Sequence, residues 1–102
     1  MAVEMQVGSI LKSREKYPEF FVVLAITPAW ITLQPVECIA RSRPVRMGYA
    51  TERWFHPGEP SGAPFRKKNK GLERVRLASY AYAPSASVWD GQTVHFVDDN
   101  LG

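Results

Sequence analysis

Disulfides, metal-ligand sets and long apolar runs are scarce in this 102-residue chain, and each scarcity closes off a class of protein. Cys38 is the one cysteine, so no internal disulfide can staple the chain, and a reducing compartment is expected. With Val36 and Ile39 close by, Cys38 reads as a small buried hydrophobe, not a reactive thiol. The two histidines, His56 and His95, are too few beside a single cysteine to make the spaced ligand set of a structural zinc. His95, between Val94 and Phe96, reads as an outward strand residue, and His56 as a solvated or capping side chain. No apolar run approaches the ~18 residues that a membrane-spanning helix needs. Residues Met1 to Gln6 lack the basic and apolar regions and cleavage site of a secretory signal, so a cytoplasmic location without membrane attachment is expected.

Catalytic signatures are missing as well. There is no glycine-rich phosphate loop, no Gly-x-Ser-x-Gly elbow and no local Cys/His pair, and Gly58-Glu59-Pro60-Ser61-Gly62 lacks the lysine and following helix of a phosphate cradle. Asp98 and Asp99 point to opposite faces of any strand that holds them and read as a solvated acidic end. The expectation is a non-catalytic protein with no cofactor and no metal.

What the chain does have is segregated charge. Residues 1–40 carry three basic and four acidic side chains, residues 41–76 carry ten and three, and residues 77–102 carry none and three. The basic middle holds Arg41, Arg43, Arg46 and Arg53, then Arg66-Lys67-Lys68-Asn69-Lys70, then Arg74 and Arg76. Such a field attracts polyanions or an acidic protein surface over about 8 Å at physiological salt.

The hydrophobic pattern is that of strands. Residues 7–12 read as a first strand, and Pro18 closes the charged loop after it. Residues 19–27 are apolar on both faces, with Phe20, Val22, Leu24 and Ile26 on one and Phe21, Val23 and Ala25 on the other, so this strand belongs in the middle of a curled sheet. After the Pro28 turn, residues 30–34 return as a third strand; Pro35 suggests a bulge or edge, with pairing resuming over residues 36–40. Residues 44–50 and 52–55 offer weaker strand signals, and His56 to Pro64, with three prolines and two glycines, reads as a loop that continues through the basic run to residue 71. Residues 74–82 alternate as a strand with one partly basic face, and Asp90-Gly91 between β-rich flanks signals a two-residue hairpin. The expected fold is all-β, one domain over residues 1–102: an SH3-like small barrel or small open β-barrel with a long basic Pro/Gly-rich loop at 56–71. Its core is expected to draw on Ile10, Phe20, Val22, Leu24, Ile26, Ile31, Leu33, Val75, Leu77, Val88, Val94 and Phe96.

The order Val7-Gly8-Ser9-Ile10, Phe20-Phe21-Val22-Val23-Leu24-Ala25-Ile26-Thr27, Trp30-Ile31-Thr32-Leu33, a basic stretch, Ser79-Tyr80 and Trp89-Asp90-Gly91 resembles a family of small uncharacterised bacteriophage and mobile-element proteins. Ser9 stands where that pattern has aspartate and Thr93 where it has proline. The resemblance implies a viral accessory protein acting in the host cytoplasm, and brings no catalytic residues. The likeness to SH3-like barrels is one of topology alone, and fold does not fix function.

Basic residues interleaved with aromatics form the candidate site: Trp54, Arg66, Lys67, Lys68, Lys70, Arg74, Arg76, Tyr80 and Tyr82. Rings can stack on bases while arginine and lysine neutralise phosphates, which points to nucleic acid. The same residue types anchor protein interfaces, so an inhibitor of a host factor, anti-CRISPR-like and aimed at an acidic surface, is the alternative. A minor virion or assembly role is a third.

Overall fold

The computed structural model describes residues 5–13, 16–69 and 86–99. Among them, seven strands form one antiparallel sheet: β1 (Ile10–Lys12), β2 (Phe20–Ile26), β3 (Trp30–Val45), β4 (Ala50–Pro60), β5 (Phe65–Lys68), β6 (Ser87–Val88) and β7 (Val94–Asp99). In space the order is β6-β1-β2-β3-β4-β7, with β5 pairing β3 beyond the end of β4. Apart from one 3-10 turn at Arg46–Gly48, the regular structure of the described residues is all-β, as the alternation predicts.

The sheet must curl. If it were flat, β6 and β7 at its two ends would stand about 24 Å apart. The chain joins them between Val88 and Val94, a reach of at most about 21 Å when fully extended. That link is also folded on itself: Gln92 N–H donates to Asp90 Oδ1 at 2.9 Å, and the Trp89 indole N–H to the Gln92 carbonyl at 2.7 Å. The result is an open half-barrel. Asp90-Gly91 is therefore not the turn of a hairpin, since β6 pairs β1 and β7 pairs β4. Its local chemistry holds all the same, for Gly91 sits at φ +84°.

Two apolar clusters use the two faces of β2, as its double-faced pattern predicts. Phe21 and Val23 pack with Leu11, Ile31, Leu33 and Ala86. On the other face Phe20 joins Val36 and Phe55, with Val22, Trp89, Val94 and Phe96 packed around them. A bulge corrects the rest of the expected core. Val23 pairs Leu33 but Ala25 pairs Thr32, which leaves Leu24 as an extra residue, and alternation flips beyond it. Leu24 is thus 41% exposed, and Ile26 packs with the Val23 cluster. Val75 and Leu77 lie outside the described residues.

The proline-rich stretch is the larger correction. Residues 56–60 belong to β4, residues 65–68 form β5, and only Ser61–Pro64 lie between the two strands. Direction explains why the prolines fit. The Trp30 carbonyl accepts from Thr27 N–H on the β2 side, while the Ala29 and Pro35 carbonyls accept from Asn69 and Ser61 N–H on the side of β4 and β5. Odd-numbered β3 residues therefore face β4 and β5, and even-numbered ones face β2. Pro57 opposite Cys38, and Pro60 opposite Val36, then occupy pairs that exchange no hydrogen bonds, so their missing donors go unmissed. Between them β4 carries an extra residue, and at Gly58 any Cβ would stand 2.8 Å from Ile39 Cδ1. The first strand is also shorter than expected, although Gly8 and Ser9 continue its pairing through bonds of 2.8 and 2.9 Å to Val23.

Beyond Val36 the sheet continues as an arm made from β3, β4 and β7. Its β3–β4 tip, Arg46 to Tyr49, is exposed, with Arg46 and Met47 both at positive φ (52° and 57°).

Candidate nucleic-acid interface

On β5, alternation divides the basic run. Arg66 and Lys68 are exposed on one face, opposite Thr32 and Trp30 of β3, whereas Lys67 is half-buried on the face of Ile31. The structure therefore joins two of the three expected cations, not all three. Their partner is an aromatic that the sequence reading left out: the Arg66 guanidinium lies 4.8 Å from the centre of the Trp30 ring, and Trp30 is 38% exposed. A cation over an exposed indole is stabilised by about 0.5–1 kcal/mol, enough to bias its position without removing it from solvent. Backbone bonds fix the ground beneath: Asn69 N–H donates to the Ala29 carbonyl at 2.9 Å and its side-chain amide to the Thr27 carbonyl at 2.8 Å. Thr27, Thr32 and Gln34, the polar β3-side neighbours of this patch, bring no carboxylate to it.

Trp54 belongs to a different cluster. It stands opposite Arg41 on β3 and His95 on β7, about 30 Å along the strand from Arg66 and on the other face of β3. The indole stacks on the His95 ring at 5.3 Å and carries the Arg41 and Arg43 guanidinium groups at 5.9 and 5.6 Å. Here charge is compensated in part, at Arg43 and not at Arg41. Glu52 ion-pairs with Arg43 and lies 2.9 Å from His95 Nε2, and those bonds, His95's first, hold its carboxyl below the usual range. His95 is outward as expected, while His56 is half-buried in β4 opposite Ile39 and opens no loop.

Asp98 is not simply solvated. Lys16 pairs with it, the Tyr17 hydroxyl donates to it and Arg53 Nε lies 3.4 Å away, so its pKa is lowered, by Lys16 foremost. Tyr17 in turn meets Phe55 and Phe96 edge-on at 5.9 Å, which pins the β1–β2 connection across the arm. Cys38 lines an open pocket of about 360 Å³ with Glu19, Phe20, Phe21, Pro35 and Val36. Burial, with Glu19 adding to it, pushes its thiol pKa up and disfavours the reactive thiolate.

Lys70, Arg74, Arg76, Tyr80 and Tyr82 lie outside the described residues. Among the described residues no group of three His, Cys, Asp or Glu side chains is placed to hold a metal, and no helix is long and apolar enough to cross a membrane. No protein-family model, curated protein or solved structure matches the chain.

Proposed function

We propose that this protein is a non-catalytic module that binds single-stranded nucleic acid through Trp30, Arg66 and Lys68. The observation that carries the reading is the Arg66 guanidinium 4.8 Å over the exposed Trp30 ring, with Lys68 directly across the ladder. Unstacked bases stack on aromatic rings and guanidinium planes alike, while lysine and arginine neutralise phosphates. A cationic edge strand also discourages edge-to-edge aggregation, but that role needs no tryptophan under the arginine.

Fluorescence anisotropy of labelled single-stranded oligonucleotides across a salt series tests the proposal. Each phosphate neutralised on a single strand contributes about −0.7 to the slope of log affinity against log salt, so Arg66→Ala with Lys68→Ala should flatten it by about 1.4. Trp30→Ala should cost roughly 1–3 kcal/mol of affinity and leave the slope nearly unchanged, because a stacked ring carries no charge. Wild-type protein that binds neither DNA nor RNA at low salt sinks the reading. Capture of a host protein through Trp30 would then favour the inhibitor alternative.

A further inference from the structure

Even-numbered residues of β3 turn their backbone N–H and C=O groups toward β2, but β2 stops at Phe20, opposite Val36. Among the described residues no strand pairs with that edge of β3 from Glu37 to Val45, so the N–H and C=O groups of Cys38, Ala40 and Ser42 face outward. Ala40 and Ser42 are exposed. The edge begins at the open pocket of about 360 Å³ beside Cys38 and runs out to Pro44, which has no donor to offer. Arg41, which has no ion pair among the described residues, and Arg43, whose guanidinium also meets Glu52 on the β4 side, stand along it on the opposite face from Cys38.

We infer that this edge is a strand-addition site for an extended acidic peptide, independent of the nucleic-acid reading. Backbone pairing supplies attachment and side chains at alternate positions supply selectivity. Every pairing in the sheet is antiparallel, and a strand added in that sense continues the line of β2. The register then dictates the sequence that fits. The residue opposite Cys38 shares its face and enters the pocket, so it is apolar; the residues opposite Arg41 and Arg43, three and five positions earlier, lie on the other face and are acidic. Read from the N-terminus the pattern is acidic-x-acidic-x-x-apolar. A second copy of this chain fits less well: pairings that keep the partner's tip clear of β2 set Arg41 against Arg41 or Arg43, and like charges directly opposite are destabilising.

The test uses a fluorescein-labelled, amide-capped hexapeptide, Glu-Thr-Glu-Thr-Thr-Leu, titrated with the full chain, and its counterpart with lysine for both glutamates. The acidic peptide should bind at least tenfold more tightly than the basic one. Ser42→Pro removes an outward N–H without touching the β4 ladder, and Pro44 already occupies an equivalent position; it should weaken the acidic peptide at least tenfold. Arg41→Glu with Arg43→Glu should invert the preference, and this exchange remains decisive if the proline variant fails to fold. No binding of either peptide, equal binding of both, or binding indifferent to a folded Ser42→Pro protein overturns the inference.

Discussion

The bulge at Leu24 makes a quantitative prediction, because it reverses the expected order of two neighbouring truncations. Val23 is 1% exposed and packed among Leu11, Ile31 and Leu33. Val23→Ala removes two methyl groups worth about 0.8 kcal/mol each, and the cavity left behind brings the cost to about 2 kcal/mol. In a domain of this size that lowers the melting temperature by roughly 8–16 °C. Leu24→Ala removes more carbon, and strict alternation would set Leu24 beside Phe20 and Val22, where such a truncation costs about 2–5 kcal/mol. With the extra residue in β2, Leu24 is 41% exposed and the cost should stay below about 1 kcal/mol. Circular-dichroism melts of both variants at neutral pH, with urea unfolding as a second measure, decide the order. The aspartate pair sharpens the contrast: Leu24→Asp should remain cooperatively folded, and Val23→Asp should not, since an unpaired buried carboxylate costs several kcal/mol against a total of about 5–15. If Leu24→Ala proves the more damaging alanine, the register of β2 against β3 is wrong.

Two further perturbations test the turn and the carboxylate network. Gly91 sits at φ +84° with open space where a side chain would go, so Gly91→Val should cost about 1 kcal/mol or more through the backbone alone, with Gly91→Asn milder; equal melting temperatures for all three would mean that the turn relaxes freely. Glu52 and Asp98 both have pKa values lowered in the fold, chiefly by His95 and by Lys16 respectively. Their contribution is complete above the unfolded carboxylate values near about 4 and is lost as pH falls through the lower folded values. Lys16 and Tyr17 are both raised, first by their bonds to Asp98, so their contribution is complete below about 10 and fades as pH rises past it. A melting-temperature profile should therefore be flat through neutrality and fall on both flanks, with Asp98→Asn reducing both losses; an acid flank as steep in Asp98→Asn as in wild type would refute the assignment.

The strand content and the double-faced β2 were legible because hydrophobic alternation is imposed by burial, and burial here is on both faces. The bulge was not, since nothing in Val23-Leu24-Ala25 marks which residue is extra; the choice is made by pairing with Leu33 and Thr32. Residues 56–60 misled for a different reason. Composition records that Pro57 and Pro60 lack donors, but not that those positions face Cys38 and Val36 in pairs that need none. Asp90-Gly91 shows the same limit: turn chemistry fixes a local φ and says nothing about which strands the turn connects. Here it carries the chain from β6 to β7, at opposite ends of the sheet.

Of the patch at the β5 edge, Arg66 and Lys68 were legible in the sequence and Trp30 was hidden. Trp30 follows a turn and alternates with Ile31 and Leu33, both fully buried, so an outward Trp30 follows from β3 alone. What no local signal shows is that residues 65–68 come back to lie against it, because a run read as loop has no register. Register also separates the two tryptophans chemically. Trp54 sits where Glu52 falls beside both Arg43 and His95, so one of the two arginines on its ring is answered within the protein. Trp30 sits where the β3 residues paired with β5 are Trp30, Ile31, Thr32 and Leu33, so among the described residues the ladder brings no carboxylate to Arg66 and Lys68. The same residue types thus make a partly compensated cluster on the arm, where Glu52 answers Arg43 and leaves Arg41, and one at the β5 edge whose exposed cations have no ion pair among the described residues. Both exposed cations of the β5 edge are without an ion pair among the described residues, which is why the proposed phosphate contacts are set there.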